Sequence, residues 1–157
     1  KGRSLTLLVN IENTAKSAAA NEIARQLQEA GLRVTVERLP WEEYTAALAA
    51  RDFDLYLGEV YLTPDFDLSA LIAPGGALNY GGWEDSVISG LLSAFRTAEG
   101  ELRQSAAASL YRYLCQQAPI APICFKNGSV LTQYGRLDQL NPTQYNVFYD
   151  LSHWTVP

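Results

Sequence analysis

Apolar and polar positions follow two periods in the first third of this chain. Residues 5–9 (Leu-Thr-Leu-Leu-Val) form a short apolar run, the pattern of a buried strand. Asn13 or Thr14 can cap the helix that follows, whose apolar face is Ala19, Ile23, Leu27 and Ala30. Gly31 stands where a left-handed C-cap closes that helix. Residues 32–37 then alternate apolar and polar, as a half-exposed strand does. Pro40 suits the first turn of a second helix with Trp41, Tyr44 and Leu48 on one side. A third strand is predicted over 53–61. This β-α-β-α-β order with short connections implies parallel strands joined by right-handed crossovers.

After Tyr61 the pattern breaks. Residues 62–82 carry Pro64, Pro74, Gly75, Gly76, Gly81 and Gly82, which predicts irregular backbone with one short helix around 68–72. Two longer helices follow. One runs from Asp85 to about Thr97 through Val87, Ile88, Leu91, Leu92 and Phe95. The other, from about Gly100 to Ala118, aligns Leu102, Ala106, Leu110, Tyr113 and Leu114. Pro119 and Pro122 frame residues 120–125, which read as a strand near a sheet edge. Asn127-Gly128 is a hairpin-type turn, with 129–133 as the return strand. The tail from 136 to 157 is loop-rich and holds Tyr145, Phe148, Tyr149 and Trp154.

The chain has 157 residues, 48% of them hydrophobic and 18% charged, which fits a single α/β domain with one core. A formal net charge of −5 with no Lys/Arg block argues against nucleic acid and anionic membrane as partners. No apolar run is long enough to span a bilayer. The chain contains no Met and begins Lys1-Gly2-Arg3, as expected of a piece of a longer product whose missing N-terminal part holds any targeting signal. Cys115 and Cys124 lack zinc or redox spacing and are read as small buried hydrophobes.

Most catalytic chemistries find no footing. His153 is the only histidine, so no His-His-carboxylate metal set exists. A Ser-His-Asp triad would have to route through this near-terminal residue, no G-x-S-x-G elbow is present, and His153 reads as a surface or packing residue. The first strand–helix junction, residues 9–14, has no glycine with which backbone N–H groups could close on phosphate. No metal site and no cofactor are expected. The alternative of a small α/β enzyme would use Asp52, Asp54, Asp65 or Asp67 as acid and base, although an Asp before a buried strand is usually a turn or cap residue.

The distribution of charge says more. From Glu42 to Asp85 the chain has nine acidic residues against Arg51 alone, so this segment carries −8 and the remainder +3. The acidity gathers after the third strand, and in open α/β sheets ligands sit beyond the carboxyl ends of the strands. Tyr61, Tyr80 and Trp83 add flat apolar faces with polar tips. An acidic, aromatic, glycine-bearing loop there suits a ligand with a cationic or amine group.

The order of motifs carries a resemblance. TLLVN closing the first strand, QLQEAG ending at Gly31, LRVTVERLPWEEY at 32–44, RDFDLYLGE at 51–59, DLSALI at 67–72, LNYGGW at 78–83 and LYRYLCQQAPIAPICF at 110–125 occur in one sequence order. From Leu5 to Trp154 the chain resembles the C-terminal part of the extracytoplasmic solute-binding proteins, family 5, of oligopeptide, dipeptide and nickel ABC importers. The resemblance implies a three-layer lobe, the second of two that close over a ligand, with residues 136–157 returning toward the missing first lobe. It implies capture of a peptide, an amine-bearing compound or, alternatively, a nickel chelate, and delivery to a membrane permease. The compartment implied is the periplasm, or the cell surface as a lipoprotein. The aspartate that holds a peptide ammonium in such proteins falls on Thr63, with Asp65 the nearest acid, and the preceding tryptophan falls on Val60. Glu59, Thr63 and Asp65 are the expected polar contacts, Tyr61, Tyr80 and Trp83 the walls, and Asn79 matches the family's Asn/Tyr region.

Overall fold

The computed structural model describes residues 4–126, 129–143 and 145–157. The chain divides into two compact units, Lys1–Pro119 and Ile120–Pro157.

The first unit opens with β1 (Ser4–Asn10), α1 (Thr14–Glu29), β2 (Arg33–Leu39), α2 (Trp41–Ala50) and β3 (Leu55–Leu57). The three strands form a parallel sheet in the order β2-β1-β3, so β1 is central. Its alternation sorts two cores. Leu7 and Val9 pack with Ala20, Ala24 and Val34 on one face, beside Ile23 and Leu27 of α1. Leu8 packs with Tyr44 and Leu48 of α2 on the other, beside Phe53, Tyr56 and Tyr80. The layers are therefore helix, sheet, helix.

Local signals set the helix ends. The Asn13 side chain accepts from Lys16 N at 2.9 Å, one of the two caps expected. Gly31 adopts φ +90°, while Gly31 N and Leu32 N donate to the carbonyls of Gln28 and Leu27. That is a Schellman closure, which favours glycine at the left-handed residue. The buried stripe of α1 is centred on Ala20 and Ala24, and Ala30 lies outside the helix and is exposed. Pro40 occupies the N-cap position instead of the first turn, and Trp41 faces solvent while Tyr44 and Leu48 are buried.

The third strand is shorter than expected: its pairing with β1 ends at the Val9–Leu57 pair, and beyond Asn10 the first strand gives way to α1. At the other end the Asp54 carboxylate takes the Thr6 N–H at 2.8 Å, and Asp54 N donates to Thr6 O at 3.2 Å.

Irregular backbone then leads to α3 (Ser69–Ile72), α4 (Ser86–Thr97) and α5 (Gly100–Gln117). The helices α4 and α5 pack on each other, with Ile88, Leu92, Phe95, Leu110 and Leu114 buried. Leu102 and Val87, expected on the inner faces, are exposed. Asp85 caps α4 through Val87 N at 2.7 Å and accepts from the Tyr113 hydroxyl of α5. Among the described residues, no helix is long and apolar enough to cross a membrane.

The second unit departs from the sequence reading. Residues 120–125 and the described residues 129–133 form no strand, and the turn at Asn127-Gly128 lies outside the described residues. Pro119 and Pro122 have no N–H to give a ladder, and isolated segments need a partner to become strands. Asp138 and Thr155 form an isolated antiparallel bridge, and η1 (Leu151–His153) adds one short turn. Cys115 and Cys124 are exposed free thiols, contrary to their reading as buried hydrophobes. Cys115 lies beside, not on, the Leu110–Leu114 stripe of α5.

Candidate functional site

Because β2 and β3 flank β1 on opposite sides, the connections out of the sheet diverge at the carboxyl ends of β1 and β3. A crevice at such a switch point is where open α/β sheets bind ligands. Here Lys16, in the first turn of α1, reaches Glu59, two residues after β3, with Nζ 2.9 Å from Oε2. Asn10, at the end of β1, is buried and donates its side-chain amide to Leu39 O. Glu12 accepts from Trp41 N at 3.3 Å, setting its charge against the start of α2.

The other candidates fall in two further environments of the same unit. Residues 63–67 form a tight turn in which Phe66 N donates to Thr63 O at 2.9 Å and Asp67 N to Thr63 Oγ1 at 3.3 Å. The Thr63 hydroxyl, the turn's own N–H groups and the Arg103 guanidinium hold the Asp65 carboxyl below the ordinary carboxylate range. Arg103 and Arg96 lie 3.6 Å from Asp65 and Asp67, respectively. Asp67 also accepts from Ser69 N at 2.9 Å, ahead of α3. These pairs are solvent-exposed and weak singly, yet they place two cations against the two acids of the loop. Tyr61, before this turn, is 84% exposed.

In the loop 73–83, Asn79 acts as a truss. Its amide donates to Ala73 O at 3.0 Å and Trp83 O at 2.8 Å, and accepts from Trp83 N at 2.9 Å. Gly76 fits because a Cβ there would lie 2.5 Å from Ala70 O. Tyr80 meets Tyr56 edge to face at 6.0 Å, inside the α2-side core. Burial, with the neighbouring Tyr56 and Tyr80, pushes the Tyr44 hydroxyl up to about 12. Trp83 is half-buried at the end of the truss.

Thus Glu59 stands at the switch point, Thr63 and Asp65 share one turn, and Asn79, Tyr80 and Trp83 belong to a trussed loop. The sequence reading did not anticipate Lys16, Arg96 and Arg103 as partners of Glu59, Asp67 and Asp65. Asp54 serves strand pairing, and Asp67 accepts from Ser69 N in the turn ahead of α3. Among the described residues, no group of three or more His, Cys, Asp or Glu side chains could hold a metal ion. A hollow of about 460 Å³ between α3 and α4, bordered by Ser69, Pro74, Leu92 and Arg96, contains none of the expected site residues.

No protein-family model matches the chain, and no curated protein matches it significantly. Solved structures do. AppA of Clostridium difficile superposes over 100% of this chain and 34% of its own, with TM-score 0.81 and 16% identity. The fold matches one part of a solute-binding protein. The oligopeptide-binding protein AppA of Bacillus subtilis, solved with a nonapeptide, also covers the whole chain, with 32% of its own length, TM-score 0.69 and 15% identity. The murein tripeptide binding protein MppA of Escherichia coli matches over 78% of the chain and 25% of its own, with TM-score 0.71 and 23% identity. The chain therefore spans about a quarter to a third of the length of these solute-binding proteins.

Proposed function

We propose that this chain is part of the substrate-binding component of an ABC importer, which captures a peptide or similar small solute outside the cytoplasmic membrane and hands it to a permease. It catalyses no reaction. The observation that carries this reading is the superposition of the whole chain on a segment of solute-binding proteins. The acids Glu59, Asp65, Asp54 and Asp67 are engaged in ion pairs, strand pairing and a turn, not aligned as acid and base.

In this reading residues 1–157 form most of one lobe, and 136–157 lead back toward another. Glu59 with Lys16, together with Thr63 and Asp65, provides polar recognition. Tyr61 and Trp83 are walls, held in place by Asn79 and Tyr80. Closure of two lobes over the solute converts binding energy into the form the permease accepts. The test is mass spectrometry of small molecules released on denaturing the full-length gene product purified without added ligand. A peptide or another small solute in near-stoichiometric amount supports the proposal. Turnover of a solute by the purified protein would replace it with an enzyme.

A further inference from the structure

We draw no further inference here: the strongest candidate, the run of exposed apolar side chains Ile123, Phe125, Leu131 and Tyr134 in the second unit, carries nothing because nothing in the structure shows what covers them.

Discussion

Removing the Asp54 carboxylate should cost stability at the junction of β1 and β3. Its Oδ2 accepts the Thr6 N–H at 2.8 Å, while Asp54 N donates to Thr6 O at 3.2 Å, so one residue closes both ends of a bridge that begins the pairing. Asp54→Ala leaves the Thr6 amide without that acceptor at a partly buried position. Hydrogen bonds to charged groups contribute about 1.5–3 kcal/mol, and water can reach this site, so a loss of about 1–2 kcal/mol is expected. For a chain of this size that corresponds to a fall in Tm of about 2–8 °C. Urea unfolding followed by circular dichroism measures it, with an unchanged m value showing that the compactness of both states is preserved. Asp54→Asn keeps an acceptor oxygen and should recover much of the loss. An unchanged midpoint in Asp54→Ala, or solute affinity abolished without loss of stability, would refute the assignment.

Asn79→Ala removes three side-chain hydrogen bonds from the 73–83 loop and should lower stability by about 1–3 kcal/mol, read as a Tm shift. Gly76→Ala sets a methyl group 2.5 Å from Ala70 O and should cost about 1–3 kcal/mol, whereas Gly81→Ala, with open space around its Cβ, should be milder. The Tyr44 hydroxyl titrates at about 12 in the fold. Its contribution is thus complete below the unfolded value of about 10 and is lost as pH rises toward 12, so Tyr44→Phe should flatten the alkaline fall in Tm. The Asp85 carboxyl is held low by the Tyr113 hydroxyl and by N–H groups at the start of α4. Its contribution is present above about pH 4 and lost below, so Asp85→Asn should weaken the acid dependence of Tm.

The parts legible in the sequence are those whose causes are local. Asn13, Gly31 and the 3.6-residue stripes set helices whose caps and buried faces need only neighbouring residues, and the βαβαβ start follows from their order. β3 was overextended because a strand ends where its partner ends, and β1 turns away after Asn10. Residues 120–133 show strand composition, but composition supplies no partner. At the site the acids could be read individually. Lys16, Arg96 and Arg103 could not be matched to them, since each pairs across a distance in sequence that only the topology spans. Asn79 carried a usable signal, because an Asn among glycine turns commonly bonds nearby backbone.

The most direct test of solute capture is paired calorimetry. The small molecule released from the full-length gene product is titrated into that protein after it has been stripped of ligand, and separately into residues 1–157 alone. An open lobe face cannot bury most of a drug-sized ligand. The account therefore expects micromolar or tighter binding by the full-length protein, and nothing tighter than about millimolar, near −4 kcal/mol, by residues 1–157. Micromolar binding by residues 1–157 alone would contradict it.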